Sequence, residues 1–214
     1  HTSISTKSNH AIHIQQGDLT TERVDVIVVS SSLQILLENI FKAGGDALRT
    51  LYNRESKTNP TSVTSIASSG QLRSKKVYFI PWQSNTDETL LCQSLKQFIV
   101  TAIEKASNEN YHSIAFPAIG CAQSGCSISL IAKTLVEDAH RLLDIHGISV
   151  SFIIQPDRAD IYHEFKKQID LLKQFKQPSD TSAMSVSVGK GTIIVEKGNI
   201  TTQQVQNYAH QTVQ

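Results

Sequence analysis

The sequence predicts an α/β fold with three layers, in which helices cover both faces of a mixed, mostly parallel central sheet. Two observations support this prediction. Short apolar runs rich in β-branched residues, such as residues 24–29 and 150–154, have the pattern of buried strands. Between such runs lie longer segments with apolar residues at helical spacing. Strands that alternate with helices in this way build a largely parallel sheet.

Residues 11–16 alternate apolar with polar side chains, which predicts a half-buried strand that ends at Gly17. Residues 24–29 are nearly all apolar and predict a strand buried on both faces. Apolar residues recur at helical spacing over residues 33–43, and the two glycines at 44–45 are a typical helix end. A second helix over residues 46–54 and a short strand over residues 62–67 are expected next.

The strand predicted at residues 76–81 is stopped by a proline. A single apolar stripe over residues 87–106, with acidic residues at its start, predicts a long helix. Residues 113–117 predict another buried strand, which a loop of small residues follows. The remaining predicted elements are a helix capped by Ser127 or Ser129 and closed by Gly147, a strand over residues 150–154, and an amphipathic helix over residues 157–175.

Composition narrows the class of protein. The 214-residue chain is 39% hydrophobic and carries 20 basic and 19 acidic residues, which suits a globular protein. It has no basic stripe of the kind that nucleic-acid binders show, so a nucleic-acid partner is not expected. Because no apolar run reaches the length of a membrane helix, no membrane partner is expected either.

The three cysteines, Cys92, Cys121 and Cys126, are sparse and odd in number, which argues against a disulfide framework. Their spacing is not that of a zinc site. We therefore expect free thiols, no metal and a reducing intracellular compartment, either the cytoplasm or the nucleus.

One short stretch of sequence occurs twice, at residues 14–24 and at residues 195–205. Glycine, two threonines and valine recur at identical offsets, as Gly17, Thr20, Thr21 and Val24 in the first copy and Gly198, Thr201, Thr202 and Val205 in the second. The spacing of the copies predicts one complete domain followed by the start of a similar one. A chance match of a short polar turn is the alternative.

The repeat and the local composition together predict four regions. Residues 1–10 form a polar N-terminal segment without an apolar signal-peptide core. Residues 11–175 form the complete domain. Residues 176–188 have the composition of a linker, and residues 189–214 begin a second, incomplete copy.

Ligands of open α/β sheets bind beyond the carboxyl ends of the strands, so the loops that follow the strands are the candidate site. Two of these loops carry motifs of one family. Gly17-Asp18-Leu19-Thr20 before a buried strand, and Phe116-Pro117-Ala118-Ile119-Gly120 before a small-residue turn and a helix, together resemble a macrodomain. The resemblance covers residues 11–170, and the second copy is similar to macrodomain arrays fused to poly(ADP-ribose) polymerase-like ADP-ribosyltransferases. It implies an α/β/α sandwich with a site for ADP-ribose.

The resemblance also implies roles for particular residues. In the family, the aspartate of the first motif accepts a hydrogen bond from the adenine amino group and the next backbone N–H binds a ring nitrogen, which implies Asp18 and Leu19 here. A carboxylate suits an amino group because it only accepts hydrogen bonds. For Asp18, merely capping the turn is the alternative.

The diphosphate is expected at the small-residue loop before a helix, where backbone N–H groups converge on an anion. A plain loop is the alternative. Alanine stands at one position where the family usually has glycine, and we expect it to be tolerated if its φ is negative. The loop residues are Gly120, Cys121, Ala122, Gln123, Ser124 and Gly125.

The first phosphate-and-ribose loop departs from the family pattern of two asparagines around two alanines, followed by a glycine-rich run. Here three serines precede Leu33, and Ser32 stands where the ribose-binding asparagine is expected. The bulky side chains that follow would obstruct close backbone approach to a diphosphate. No carboxylate or histidine lies at this loop to orient or activate a water.

Other residues near the strand ends carry weaker expectations. The family often places an aromatic residue over adenine after the last strand, whereas this chain has Gln155 and Pro156, which would cover a base with less contact area. Tyr162 is a further candidate to cover the base, but its helical spacing favours packing. Trp82 is expected to be a partly buried anchor of its loop or, alternatively, to stack on a ligand. Cys121 would act as a nucleophile only beside a base, and no histidine can be placed there.

We therefore expect a module that binds ADP-ribose or ADP-ribosylated proteins with weakened affinity, within a larger ADP-ribosylation-related protein such as a poly(ADP-ribose) polymerase-like transferase. A degenerate macrodomain that has lost the ligand and serves as a protein-interaction scaffold is the alternative. An ADP-ribosyl hydrolase is less favoured. No catalytic residue and no cofactor are expected in this chain, whose ligand would be ADP-ribose itself.

Overall fold

The computed structural model describes residues 1–6, 8–122, 125–176, 184–188 and 191–195. Seven strands form one sheet: β1 (Thr2–Ser5), β2 (Ala11–Gln16), β3 (Val26–Ser30), β4 (Thr64–Ala67), β5 (Lys76–Ile80), β6 (Ser113–Pro117) and β7 (Ser149–Ile154). The helices of the described residues are α1 (Gln34–Thr58), α2 (Glu88–Asn108), α3 (Ile128–His146) and α4 (Ala159–Lys176), and Leu19–Thr21 forms a single 3₁₀ turn.

The strands lie in the order β1-β2-β7-β6-β3-β5-β4. The five central strands are parallel to one another, whereas the edge strands β1 and β4 pair antiparallel with β2 and β5. Val150 pairs with both Ile12 and Ile114, and Val26 pairs with both Ile114 and Lys76, so the central strands begin at a common level. Their carboxyl ends meet along one side of the sheet, here called the carboxyl edge, and their amino ends along the opposite amino edge. The predicted mixed, mostly parallel sheet is confirmed.

Both faces of the sheet are covered by helices. On one face Val28 belongs to a core with Leu95 of α2 and Phe165 of α4, to which α3 also contributes. On the other face Ile27 belongs to a second core with Phe41 of α1. Successive residues of a strand point to opposite faces, which explains why the apolar run of β3 is buried on both sides. The three-layer α/β/α arrangement therefore follows from the apolar pattern.

The helix ends follow their sequence signals. The side chains of Asp87 and Ser127 cap α2 and α3, since each accepts a hydrogen bond from a backbone N–H of the first turn, at 2.9 and 3.2 Å. Of the two predicted caps for α3, Ser127 is the one that the structure uses. Gly147 ends α3 with a left-handed φ of 63°. The two helices predicted on either side of residues 44–45 form the single element α1, which is kinked where Gly45 has a φ of 81°. Among the described helices, none has the length and apolar character needed to cross a membrane.

The N-terminal residues differ from the prediction of a polar segment, because β1 is an edge strand. Ile4 pairs with Ile12 of β2 and is 5% exposed, whereas its neighbours in β1 are not buried. A single buried residue in four gives no periodicity that sequence reasoning can detect. Backbone pairing with β2 supplies the remaining interactions.

The chain divides into two units, His1–Lys173 and Gln174–Gln214. Within the second unit, the strands β8 (Met184–Val188) and β9 (Gly191–Val195) pair antiparallel, with Met184 opposite Val195. β8 lies in the segment expected to be a linker, and its alternation of serine with valine is typical of a strand. Residues 196–205, which carry most of the second copy of the repeat, lie outside the described residues, so the domain boundaries stay predictions.

Candidate functional site

A cavity of about 690 Å³ lies at the carboxyl edge of the first unit, within the size range of small-molecule pockets. It is lined by the turn after β2, the start of α1, the loop after β6 and the loop after β7. The parallel sheet brings these four segments together because the strands before them end at the same edge. The predicted site residues that line the cavity are Asp18, Leu19, Ser32, Ala122 and Gln155.

The turn after β2 presents Asp18 at the cavity with an exposed side chain. Its Oδ1 accepts a hydrogen bond of 2.9 Å from the backbone N–H of Thr20 and so caps the 3₁₀ turn. The capping role that was the alternative for Asp18 is therefore real. The carboxylate can still accept further hydrogen bonds, because its two oxygens offer about four acceptor positions.

The side chain of Leu19 is only 4% exposed and packs in the core beneath the turn, which fixes the position of its backbone N–H. At the end of β2, the side-chain amide of Gln16 donates a 3.2 Å hydrogen bond to the carbonyl oxygen of Pro156. The turn after β2 and the loop after β7 are thus joined directly. They form one wall of the cavity.

The loop after β6 is shaped by Gly120. The N–H of Cys121 donates to the carbonyl oxygen of Ala118 at 3.2 Å, which closes a turn with Gly120 in its third position at a φ of 82°. Glycine is favoured there because the position requires a left-handed φ. A Cβ atom at Gly120 would also lie 3.1 Å from Cη2 of Trp82. Both conformation and packing therefore require glycine.

Gly120, Cys121 and Gly125 shape this loop but are not among the residues that line the cavity. Gln123 and Ser124 lie outside the described residues. Ala122 lines the cavity, and its φ is not positive, since positive φ among the described non-glycine residues occurs at Asn9 and Asn110. Alanine therefore fits this position without backbone strain.

Trp82 supports the site from beneath. It is 5% exposed, and its Nε1 donates a 3.2 Å hydrogen bond to Oγ of Ser94. The prediction of a partly buried loop anchor is confirmed, and Trp82 is not among the residues that line the cavity at the carboxyl edge.

A chain of hydrogen bonds fixes the loop after β3. The hydroxyl of Ser32 donates to the carbonyl oxygen of Trp82 at 2.6 Å, and the hydroxyl oxygens of Ser30 and Ser32 are 2.7 Å apart. Because a hydroxyl has one hydrogen, Ser30 is the donor within the serine pair. Ser32 can thus offer a ligand only a remaining acceptor lone pair.

The start of α1 gives the cavity an apolar wall with polar backbone groups at its base. Leu33, Ile35 and Leu36 line the cavity, and Ile35 is 78% exposed. Leu33 occupies the N-cap position, and no side chain caps the helix there. The first N–H groups of a helix lack intrahelical partners, and they carry the positive end of the helix dipole.

The loop after β7 contributes a cation that sequence reasoning missed. Arg158 lines the cavity, and its guanidinium donates two hydrogen bonds to the carboxylate of Asp160, at 3.0 and 2.9 Å. These bonds hold the pKa of Asp160 at about 2 and raise the pKa of Arg158. The loop itself was predicted, but nothing in the sequence showed that its arginine would line the cavity.

The lining residues provide little positive charge for an anionic ligand. Among the described residues that line the cavity, the charged side chains are the carboxylates of Asp18 and Asp157 and the guanidinium of Arg158. The same residues include no aromatic side chain. Tyr162, which was expected to pack, does so against the core.

Cys121 is a buried thiol, 3% exposed, and burial raises its pKa to about 12. At neutral pH it is therefore protonated and unsuited to act as a nucleophile. Cys92, Cys121 and Cys126 are all free. In the part of the chain that the structure describes, no group of three or more histidine, cysteine or acidic residues is arranged to hold a metal ion.

Comparison with known proteins relates this architecture to one family. The sequence model described as "Macro domain" matches residues 36–135, from the first turn of α1 to the middle of α3. A single-residue variant of the Oceanobacillus iheyensis macrodomain has a TM-score of 0.69 and 18% identity, covering 81% of this chain and 94% of that chain.

Two further solved structures have ligands named with them. Another variant of the Oceanobacillus iheyensis macrodomain, with ADPR, has a TM-score of 0.67 and 20% identity, covering 81% of this chain and 100% of that chain. The Trypanosoma brucei macrodomain in complex with ADP has a TM-score of 0.59 and 16% identity, covering 75% of this chain and 69% of that chain. At these identities the structures show a common fold. Residues 36–135 match the Macro domain model, and the chain shares the fold of these macrodomain structures.

Proposed function

We propose that the first unit is an ADP-ribose-binding module that recognises the free nucleotide or ADP-ribosylated protein. The observation that carries the proposal is the cavity at the carboxyl edge, with an exposed acceptor, Asp18, on one wall and backbone donors of helix starts on another. ADPR and ADP are each named with a similar macrodomain structure, which supports the same class of ligand here.

The adenine is placed beside the turn after β2. Asp18 accepts the hydrogen bond of the exocyclic amino group, and the backbone N–H of Leu19 donates to a ring nitrogen. The apolar side chains of Ile154, Pro156 and Ile161 line the same part of the cavity and contact the faces of the base. Apolar contact of this kind is weaker than stacking on an aromatic ring.

The diphosphate is placed between the start of α1 and the loop after β6. The uncapped N–H groups of α1 and the backbone of Ala122 are suitable donors for an anion. Arg158 contributes less than a free arginine would, because Asp160 already occupies its guanidinium.

Three features support a weakened affinity. Ser32 has already donated its hydrogen to Trp82, so it cannot donate to a ribose hydroxyl. Leu33 and Ile35 put apolar side chains where a diphosphate needs polar ones. Among the lining residues that the structure describes, two carboxylates outnumber one cation, which opposes the binding of a dianion.

The setting of this module is also a proposal. The partial repeat at residues 195–205 supports a tandem arrangement of macrodomains within a larger ADP-ribosylation-related protein, with a poly(ADP-ribose) polymerase-like transferase as the parent type. An intracellular location, in cytoplasm or nucleus, fits the reduced cysteines.

Calorimetric titration with ADP-ribose, AMP and ATP tests the proposal. We expect saturable binding of ADP-ribose that Asp18→Ala weakens about tenfold or more, since losing a hydrogen bond to a charged group costs about 1.5–3 kcal/mol. Asp157→Ala is the matched control, because it removes the same charge from the same cavity. We expect its affinity to equal or exceed that of the unmodified chain. Equal weakening by both substitutions, or none by Asp18→Ala in a folded protein, would exclude the adenine role of Asp18.

A scaffold without a ligand is the second candidate, and the exposed apolar side chain of Ile35 at the cavity favours it. The same titration separates the two functions. Absence of binding for all three nucleotides at millimolar concentration would favour the scaffold, whereas saturable binding of ADP-ribose would favour the reader module.

A further inference from the structure

A second concave site lies at the amino edge of the sheet, whereas the proposed ADP-ribose cavity lies at the carboxyl edge. This pocket, here called the amino-edge pocket, has a volume of about 360 Å³ and is lined by Arg23, Val24, Asp25, Arg73, Lys75 and Ser113. These residues immediately precede β3 and β5 or begin β6, which are adjacent strands. Because the three strands are parallel, their amino ends converge there. A five-residue strand separates the two edges by about 15 Å.

The segment before β5 turns two of its cations outward. Leu72 and Ser74 are buried, whereas Arg73 and Lys75 between and after them are exposed. The hydroxyl oxygens of Ser68 and Ser74 lie 2.8 Å apart, which ties the two sides of this loop together. The strand-like alternation therefore places Arg73 and Lys75 on the same side.

One carboxylate lies in the pocket, and it is already neutralised. Asp25 accepts hydrogen bonds from Nζ of Lys75 at 2.7 Å and from the backbone N–H of His112 at 2.8 Å. Burial opposes its ionisation, but these bonds outweigh burial and lower the pKa of Asp25. Asp25 and Lys75 thus form a local ion pair, and the formal charge that remains is that of the two arginines.

Arg23 and Arg73 have exposed side chains, and neither forms a salt bridge with any residue that the structure describes. Ser113 adds a neutral donor, since its Oγ accepts a 2.8 Å hydrogen bond from the N–H of Asp25 and its own hydrogen is left to donate. Two guanidinium groups and a hydroxyl in one concavity match the planar, multidentate binding that arginine offers to phosphate oxygens.

We propose that the amino-edge pocket binds the phosphoryl groups of a small phosphorylated ligand, with Arg23 and Arg73 as the charged donors. The volume suits a compact diphosphate, being near the lower limit for ligand pockets. This site is separate from the ADP-ribose cavity and does not depend on it. Asp25 holds Lys75 in place and leaves the two arginines for the ligand.

The test is a titration of the ¹⁵N-labelled full chain with sodium pyrophosphate, followed by amide chemical shifts. In the unmodified chain we expect saturable shifts of the amides that line the pocket, at Val24, Asp25, Lys75 and Ser113. In the double variant Arg23→Gln/Arg73→Gln the apparent Kd for pyrophosphate should be at least about tenfold weaker, because charge-assisted hydrogen bonds are lost. The matched control is Lys96→Gln/Lys133→Gln, which removes two exposed positive charges from helices α2 and α3. Its pyrophosphate affinity should stay within about twofold, with the small change due to long-range charge.

Three results would overturn the proposal: no saturable shifts, shifts confined to residues around Asp18 at the carboxyl edge, or equal weakening in the control. The single variants Arg23→Gln and Arg73→Gln are measured in parallel, with thermal melting to confirm folding. If the double variant does not fold, a loss in each single variant supports the proposal, and full affinity in both overturns it.

Discussion

Ser32 donates its hydroxyl hydrogen to the carbonyl oxygen of Trp82 across 2.6 Å, which joins the loop after β3 to the loop after β5. The hydroxyl hydrogen of Ser32 is therefore used within the fold and is not available to a ligand. Trp82 in turn lies beneath the turn at Gly120, so three strand-end loops are coupled through one buried indole. The site is thus supported by contacts between residues far apart in sequence.

Because Ser32 is committed to Trp82, Ser32→Ala should lower stability more than ligand affinity. We expect a loss of about 0.5–1.5 kcal/mol in the free energy of unfolding, as for a typical hydrogen bond, and an ADP-ribose Kd within about twofold of the original. Ser31→Ala is the control, because it makes the same change at the adjacent residue. A thermal melt and a calorimetric titration give the two readouts. A weaker Kd without a change in melting temperature would show that Ser32 binds the ligand.

The chain should not release ADP-ribose from modified protein. Among the described residues that line the cavity, the titratable groups are Asp18, Asp157 and Arg158, and none of these lies at the serine loop after β3 to orient or activate a water. Incubation with mono-ADP-ribosylated protein, followed by measurement of the retained label, should show no release above the rate without the chain. Rapid, stoichiometric release would mean that the serine loop supports catalysis after all.

The two glycines of the loop after β6 should respond differently to alanine. Both have left-handed φ values, 82° at Gly120 and 85° at Gly125, but only Gly120 is enclosed, since a Cβ there would lie 3.1 Å from Trp82. We expect Gly125→Ala to cost about 1–2 kcal/mol from conformation alone. Gly120→Ala should cost about 1–3 kcal/mol more through overpacking.

Thermal melting checks this pair of substitutions, since each kcal/mol shifts a domain of this size by about 2–4 °C. Equal melting temperatures for the two variants would show that Trp82 moves away without cost. Such a result would contradict the role of Trp82 as the fixed base of the loop.

Asp25 should make the free energy of unfolding vary with pH in the acidic range. Burial raises its pKa, but hydrogen bonds from Lys75 and His112 outweigh burial, so the folded-state pKa lies below the ordinary value. A lowered carboxyl pKa stabilises the fold above the unfolded-state pKa of about 3.9, and this contribution is lost as the pH falls through the folded-state pKa.

Urea unfolding of the Asp25→Asn variant at a series of pH values measures this contribution. The variant should be less stable than the unmodified chain at pH 7, by about 1–3 kcal/mol for the loss of a charged hydrogen-bond partner, and the difference should shrink as the pH falls below the ordinary carboxyl pKa. Asp170→Asn, which removes an exposed partner of Lys166, should show little difference at any pH. A difference for Asp25→Asn that does not change with pH would contradict the assigned cause.

The elements that could be predicted from the sequence are those whose apolar pattern is long or continuous. The run from Val26 to Val29 had to be a strand buried on both faces, and its parallel neighbours brought the carboxyl-edge loops together. The strand β1 could not be predicted, because only Ile4 is buried in it and its stabilisation comes from backbone pairing. Short edge strands carry little pattern of their own.

The candidate site was predictable in position but not in detail. A parallel sheet dictates which loops meet, so the cavity beside Asp18 and Ala122 was expected. The bonds that decide the chemistry join residues without a common motif. Ser32 is tied to Trp82, 50 residues away in sequence, and Arg158 is occupied by Asp160. Such partners are set by packing and become visible only in the folded chain.

Residues beyond Gln177 should be dispensable for the fold of the first unit. The seven strands of its sheet all lie between Thr2 and Ile154, and β9 pairs with β8 in a separate two-stranded sheet. A chain that ends at Gln177 should therefore melt within about 3 °C of the full chain, which corresponds to roughly 1 kcal/mol.

As a control for sensitivity, a chain that ends at Pro156 loses α4 with its buried Ile161, Phe165 and Ile169, and it should not fold stably. A drop of about 10 °C or more for the longer truncation would mean that the second unit adds a strand to an open edge of the first sheet. In that case the tandem arrangement would not describe this chain.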